Sequence, residues 1–161
     1  MQHLSIKNVH FKYKNSVISI FEDLNLEFEQ GWTCIVGSNG SGKSTLLKLI
    51  SKTLKVDEGS ITGNDLTHYC LQSTEEIPLN LEEFMMTYTS AAFKIRDMLN
   101  INDSWLYQWD TLSFGERKRM QIALAIFEEP DVLLVDEPTN HLDTKSKVIV
   151  LSALKKFKGI G

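Results

Sequence analysis

The stretch WTCIVGSNGSGKST, from Trp32 to Thr45, constrains the fold more than any other part of the chain. Its first six letters form a short apolar run rich in β-branched residues, which is typical of a strand buried on both faces. The glycine-rich loop that follows opens a predicted helix through KSTLLKLISKTL, whose leucines indicate a mostly buried element. A buried strand, a glycine-rich turn and a helix in this order predict one step of a mainly parallel α/β sheet.

The loop itself matches the pattern G-x-x-x-x-G-K-[ST] in full. Glycines let the backbone wrap closely around a polyphosphate, and successive N–H groups at a helix N-terminus point at its negative oxygens. Lys43 is placed to reach the β and γ phosphates, and Ser44 to offer its hydroxyl to Mg²⁺. The alternative is a glycine-rich turn that binds no nucleotide. The predicted phosphate-binding residues are Gly37, Ser38, Asn39, Gly40, Ser41, Gly42, Lys43, Ser44 and Thr45.

A second buried strand, DVLLVDEP, ends in two acids. Asp136 suits Mg²⁺, because a hard cation prefers carboxylate oxygen. Glu137 stands one residue nearer the γ-phosphate, where it is predicted to orient or deprotonate an attacking water. The alternative for this stretch alone is a surface acidic pair at the end of a strand.

Other segments give simpler patterns. Apolar alternation from Leu4 to Tyr13, with a phase slip near Asn8, predicts a bulged strand that pairs with a second strand before Gln30. Helical periodicity after Pro78 predicts about five continuous turns over 81–99. The spacing of Ser113 and Glu116 predicts a capping box at the start of a helix over 114–127, and KSKVIVLSALKKF predicts a closing helix.

The length indicates one domain over 1–161, and the order of predicted strands and helices indicates the α/β class, with a helical subdomain at 78–127 inserted in it. The net charge of −4 gives no attraction for nucleic acid, so no direct DNA binding is expected. Cys34 and Cys70 lie in apolar strand-like contexts, which predicts two buried, reduced thiols and a cytoplasmic location.

The glycine-rich loop at 37–45 and the acidic pair at 136–137, together with LSFGE at 112–116, resemble the motifs of the ATP-binding cassette (ABC) family. That family carries a signature L-S-G-G-Q between the phosphate loop and the acidic strand, and the order matches over nearly the whole chain. The resemblance implies binding of ATP with Mg²⁺, and ATP hydrolysis. It also implies that Ser113 and Gly115 face the γ-phosphate of ATP on a second cassette, in a head-to-tail dimer.

Further roles follow from the resemblance alone. Tyr13 matches the aromatic residue that stacks on adenine, the alternative being a core tyrosine. Gln72 matches the glutamine that senses Mg²⁺ and the attacking water. Asp143 matches the loop that communicates across the dimer, and Thr45 would touch the α-phosphate. The implied catalytic residues are therefore Lys43, Gln72 and Glu137, and the implied metal residues are Ser44, Gln72 and Asp136.

Two departures from the family accompany these matches. Phe114 replaces the first signature glycine, a change that the family is expected to tolerate. The sequence stops at KKFKGIG, before the strand that carries the family's switch histidine. We therefore expect a truncated cassette whose sheet lacks an interior strand between the phosphate-loop strand and the acidic strand. Such a chain is expected to hydrolyse ATP negligibly and to bind nucleotide weakly until extended by roughly fifty residues.

The segment DEPTNHLD, 136–143, resembles the form found in ABC-F proteins, which act on ribosomes. Transporter cassettes more often have Ser or Ala in place of Asn140. An ABC-F-like, translation-associated ATPase is therefore favoured. The alternatives are the ATP-binding subunit of a transporter, peripheral at the inner membrane beside a membrane subunit, and a truncated module that binds nucleotide without turnover.

Overall fold

The computed structural model describes residues 3–63 and 65–161. The chain divides into two compact units. The first unit takes the residues up to Tyr69, then Pro130–Leu134 and Lys158–Gly161, and the second takes Cys70–Glu129 and Val135–Phe157. In chain order, the elements are β1 His3–Phe11, β2 Phe21–Glu29, α1 Lys43–Ile50, β3 Glu58–Thr62, β4 Thr67–Cys70, α2 Leu81–Met86, α3 Ser90–Met98, a 3₁₀ segment Asp103–Thr111, α4 Phe114–Phe127, β5 Val132–Val135 and α5 Thr144–Leu154.

An antiparallel sheet in the order β2–β1–β3 forms one part of the first unit. The predicted bulge is present, because the register of β1 shifts between Ile6 and Val9, and Asn8 takes a φ of 48°. Gly59 at the start of β3 also has a positive φ, and a Cβ there would lie 2.3 Å from the carbonyl oxygen of Asn8. Glycine is therefore required where β3 passes the bulge. The leucine-rich face of α1 packs with β1 in the core of this unit.

The residues at the end of the sequence pair with two other segments of the first unit. Ile160 forms parallel bridges with both Gly31 and Val132. The N–H of Thr33 donates to the carbonyl of Gly161 at 2.8 Å, and the N–H of Leu133 donates to that of Ile160 at 2.8 Å. The interior position expected to be empty is thus partly filled, with pairing that begins at residue 159 instead of after Gly161.

The prediction of a buried strand over WTCIVG is wrong for this structure. Gly31 forms the isolated bridge, and Trp32–Ser38 have no regular secondary structure. Val36 is 84% exposed, Trp32 is 44% exposed, and the Cys34 thiol is also exposed instead of buried. Burial of a parallel strand requires neighbours along its whole length, and among the described residues the pairing of this segment stops at Thr33.

The second unit is helical and is organised around α4, which begins at Phe114 and ends at Phe127 as predicted. The predicted five-turn helix is divided into α2 and α3. Thr89 caps α3 by accepting from the N–H of Ala92, and the Arg96 guanidinium donates to the carbonyls of Phe84, Met85 and Thr87 at 3.0–3.2 Å. The break is stable because these contacts satisfy the carbonyls that α2 leaves open at its end. The predicted subdomain at 78–127 lies within this unit, and its standing as an insertion stays a prediction.

Candidate active site

The phosphate loop is followed by a helix start without a side-chain cap. Gly42, at the N-cap of α1, takes a φ of 94° and a ψ of 5°, and no side-chain hydrogen bond caps this end of the helix. Gly40 takes a φ of 81°, and a Cβ there would meet no atom within 4 Å. Both glycines take the left-handed conformation that favours glycine, and the space beside Gly40 is open. The uncapped amides at the start of α1 suit a negatively charged group.

Lys43 closes the loop on itself. Its Nζ donates to the carbonyl of Gly37 at 2.9 Å and to that of Ser38 at 2.8 Å. The ammonium is thereby held within the loop by neutral oxygens, which a phosphate oxygen can replace with a stronger, charge-assisted partner. The loop therefore fits a polyphosphate both in backbone shape and in the chemistry of its lysine.

Tyr13 lies just beyond the end of β1, with 39% of the residue exposed. Its hydroxyl lies 3.0 Å from Oγ1 of Thr45, which is buried in α1, and its ring meets the ring of Phe11 edge-on at 5.0 Å. The hydrogen bond ties the end of β1 to the helix that follows the phosphate loop. The predicted contact of Tyr13 with adenine stays a prediction.

In the second unit, the structure brings together Gln72 and Glu137. The Gln72 side-chain amide donates to Oε2 of Glu137 at 2.7 Å, and the Asn140 amide donates to the same oxygen at 2.8 Å. Glu137 takes a φ of 48°, a left-handed conformation that is uncommon for a residue with a side chain. Two neutral donors and an unusual backbone conformation thus fix the orientation of one carboxylate.

Asp136 is 8% exposed, in contrast to the exposed Glu137. The N–H of Asp136 donates to the carbonyl of Cys70 at 3.1 Å. The Cys70 thiol is buried as predicted, and burial raises its pKa to about 12. Of the predicted Mg²⁺ residues, Ser44 belongs to the first unit, whereas Gln72 and Asp136 belong to the second. Their joint role stays a prediction.

The start of α4 carries the predicted capping box. Ser113 Oγ accepts from the N–H of Glu116 at 3.3 Å, and Oε2 of Glu116 accepts from both the N–H and the hydroxyl of Ser113, at 2.8 and 2.7 Å. These bonds hold the pKa of the Glu116 carboxyl below its ordinary value, the Ser113 hydroxyl contributing most. The hydroxyl of Thr111, two residues before Ser113, donates to the carbonyl of Gln108 and so takes no part in this cap. Ser113 is therefore the cap of this helix.

Gly115 is buried at a close approach between α4 and the start of α5. A Cβ there would lie 3.1 Å from Oγ of Ser146 and 3.6 Å from Leu142. Asp143 caps α5 by accepting from the N–H and the hydroxyl of Ser146, and these bonds lower the pKa of its carboxyl. In this unit, then, Gly115 permits packing and Asp143 caps a helix, while their roles toward a partner's nucleotide stay predictions.

The family of the chain follows from comparison with known proteins. The model of the family described as ABC transporter matches residues 21–140, which include the phosphate loop, the 112–116 segment and the acidic pair. The chain belongs to the ABC transporter family. It is an ABC ATPase cassette with the P-loop α/β fold, and cassettes of this family are ATPases that bind ATP with Mg²⁺.

Similar proteins place the cassette within chains of different lengths. It is 33% identical to the uncharacterized ABC transporter ATP-binding protein MJ0089 of Methanocaldococcus jannaschii, over 94% of this chain and 69% of that protein. It is also 33% identical to the ribosome protection protein VmlR of Bacillus subtilis, over 97% of this chain but 27% of VmlR. The dimeric, post-hydrolysis cassette MJ0796 bound to ADP and Pi superposes with a TM-score of 0.73 at 25% identity, over 95% of this chain and 82% of that one.

Within the described residues, no helix of the cassette is long and apolar enough to cross a membrane. No group of three or more His, Cys, Asp and Glu side chains in that part of the chain is arranged to hold a metal ion.

Sequence reasoning missed Lys118, a fully buried lysine of α4. Its Nζ donates to the carbonyls of Leu71 and Gln72, and burial lowers the pKa of its ammonium. A signal was present in the sequence, because Lys118 falls in one helical stripe with Gly115, Ile122 and Ala125, all of which are buried. A lysine in such a stripe indicates a charge held inside the fold.

Proposed function

We propose that this cassette binds MgATP and hydrolyses it in a head-to-tail pair of cassettes. The observation that carries the proposal is the Glu137 carboxylate, whose Oε2 is fixed by the amides of Gln72 and Asn140. A carboxylate held in this manner can orient a water molecule and accept its proton. The uncapped start of α1 and the loop around Lys43 supply the donors for the phosphate chain.

Each residue has a distinct role in the proposal. Lys43 neutralises charge on the β and γ phosphates, and Gln72 and Asn140 keep the Glu137 oxygens pointing in one direction. Ser44, Gln72 and Asp136 are the residues proposed for Mg²⁺, which would neutralise charge on the phosphate oxygens. Ser113 and Gly115 serve the nucleotide of a partner cassette, a pairing supported by the dimeric form of MJ0796.

The proposal extends to an ABC-F-like ATPase that acts on ribosomes. Asn140, the residue that is more often Ser or Ala in transporters, supplies one of the two bonds to Glu137 at 2.8 Å. The similarity to VmlR, whose name describes ribosome protection, supports the same assignment. A second candidate, the ATP-binding subunit of a transporter, is supported by the similarity to MJ0089, of which the chain covers 69%.

The test is the variant Glu137→Gln in the full-length protein. The amide preserves the shape of the side chain and removes the base, so we expect ATP to bind with unchanged affinity while turnover stops and paired cassettes accumulate. Sedimentation with ribosomes in the presence of ATP then distinguishes the two candidates. Hydrolysis at the wild-type rate would refute the role of Glu137, and ATP-stabilised association with a membrane fraction but not with ribosomes would favour the transporter subunit.

A further inference from the structure

Two side chains of α4 donate hydrogen bonds to the backbone of the segment 71–73, which contains Gln72. Lys118 Nζ donates to the carbonyl of Leu71 at 2.6 Å and to that of Gln72 at 3.2 Å. One turn further on, the Gln121 amide donates to the carbonyl of Ser73 at 2.9 Å. Three consecutive carbonyls are thus bound from one helix face, so the backbone of Gln72 cannot shift without a corresponding change in α4.

Lys118 stabilises the segment 71–73 at the cost of burying a charged ammonium group. It is 0% exposed, and the oxygens that it binds belong to carbonyls of the backbone. Burying an ammonium costs free energy that hydrogen bonds recover only in part, and an apolar side chain of similar size would often be at least as stable. The contacts of Lys118 therefore point to a role in placing Gln72 as well as in packing.

The aromatic departure from the signature, Phe114, covers the same ammonium. Its ring centroid lies 5.7 Å from Nζ of Lys118, one helical turn away, and it meets the His141 ring edge-on at 5.8 Å. Phe114, His141 and Gln72 also line one open pocket of the second unit, about 460 Å³ in volume. A cation–π contact of this kind stabilises a buried lysine in its charged form.

We infer that Lys118, covered by Phe114, is a positioning residue that holds Gln72 so that its amide orients the Glu137 carboxylate. The inference rests on the proposed function and extends it, because it connects the start of α4 with the proposed base. The connection runs from Phe114 to Lys118, through the backbone of Gln72, and from the Gln72 amide to Oε2 of Glu137. A displacement at the start of α4 then changes the orientation of the base.

Arg119 provides a matched control on the same helix. Its guanidinium donates to the carbonyls of Leu99 and Asn100, both at 3.1 Å, and lies 4.8 Å from the Trp105 ring. Like Lys118, it is a cation that binds two carbonyls beside an aromatic ring, but it binds no residue of the 71–73 segment. Replacing it disturbs packing without releasing Gln72.

The first measurement is steady-state kinetics of Lys118→Met in the full-length protein. We expect kcat to fall about 10- to 100-fold, because the base loses its alignment, with KM for ATP changed by less than about twofold. Arg119→Met should keep kcat within about twofold. In a Gln72→Ala background, Lys118→Met should have almost no further effect on kcat, since both changes remove the same interaction. A full additional loss in that background would overturn the inference.

The second measurement does not depend on turnover. In the nucleotide-free protein, the side-chain NH₂ resonances of Gln72, assigned through Gln72→Ala, should move toward unstructured values in Lys118→Met and remain unchanged in Arg119→Met. Resonances that do not move in Lys118→Met overturn the inference, whether or not the wild-type protein hydrolyses ATP. Absence of ATP hydrolysis by the wild-type protein would instead refute the proposed function. If Lys118→Met does not fold, Lys118→Gln, which keeps a donor, replaces it, and we expect a smaller effect in the same direction.

Discussion

Ser113→Ala tests the capping box with a single lost hydroxyl. The change removes the bond that Ser113 Oγ accepts from the N–H of Glu116, and the 2.7 Å bond that it donates to the Glu116 carboxylate. Loss of an N-cap hydroxyl costs about 1 kcal/mol, within a range of about 0.5–2 kcal/mol. For a chain of 161 residues, about 1 kcal/mol corresponds to a fall in Tm of about 2–4 °C.

The assay is urea unfolding followed by circular dichroism, with Thr111→Val as the control. Thr111 also loses a hydroxyl, but that hydroxyl caps no helix, so the free energy of unfolding should change by less than about 0.5 kcal/mol. The reasoning is refuted if both variants lose equal stability, or if Ser113→Ala loses none.

The stability difference between wild type and Ser113→Ala depends on pH, and the pKa of Glu116 sets its direction. Because the Ser113 bonds lower the pKa of Glu116 in the folded protein, their contribution is fully present above the ordinary pKa of a glutamate, about 4.3. It disappears as the pH falls through the folded-state pKa. The difference in stability between wild type and Ser113→Ala should therefore be larger at pH 7 than at pH 4. A difference that grows on acidification would contradict this assignment.

Three further outcomes are expected. Lys43→Ala should weaken MgATP binding by about 2–5 kcal/mol, or about 30-fold or more, and unchanged affinity in calorimetry would refute the phosphate-loop assignment. Iodoacetamide at pH 8 should alkylate the exposed Cys34 and spare Cys70, whose thiol pKa is raised to about 12 by burial; mass spectrometry showing equal labelling of the folded protein would contradict the burial. Ser113→Arg should leave ATP binding by one cassette intact and block ATP-dependent pairing in a Glu137→Gln background, as measured by sedimentation.

Local signals were sufficient for part of this fold. A capping box and a run of apolar positions specify the start and the buried face of the helix from Phe114 to Phe127. Apolar alternation predicts the bulge at Asn8, and the continuous apolar run before Asp136 predicts the strand Val132–Val135. In the candidate site, motif matching indicates Gln72 and Glu137, and the structure places Nε2 of Gln72 2.7 Å from Oε2 of Glu137.

The remainder depends on contacts that the local sequence does not encode. The exposure of Trp32–Ser38 depends on which segments pair beside them, and the division between α2 and α3 depends on Arg96, which reaches back from the following helix. The bond from Asn140 to Glu137 is found together with a left-handed backbone at Glu137, a conformation that no pattern of residue types predicts. The burial of Lys118 depends on the carbonyls of Leu71 and Gln72, which lie 47 and 46 positions away in the sequence.

The bridges of Ile160 to Gly31 and Val132 also affect the order in which segments of the protein can fold. Gly31 and Ile160 lie about 130 positions apart, and closing so long a loop costs about 2 kcal/mol more than closing a ten-residue hairpin. During synthesis, β1 and β2 can pair early, while the segment that leads to the phosphate loop waits until the distant residues have emerged. A nucleotide captured by this loop in its final shape would thus report that the segments around Gly31 and Ile160 have paired.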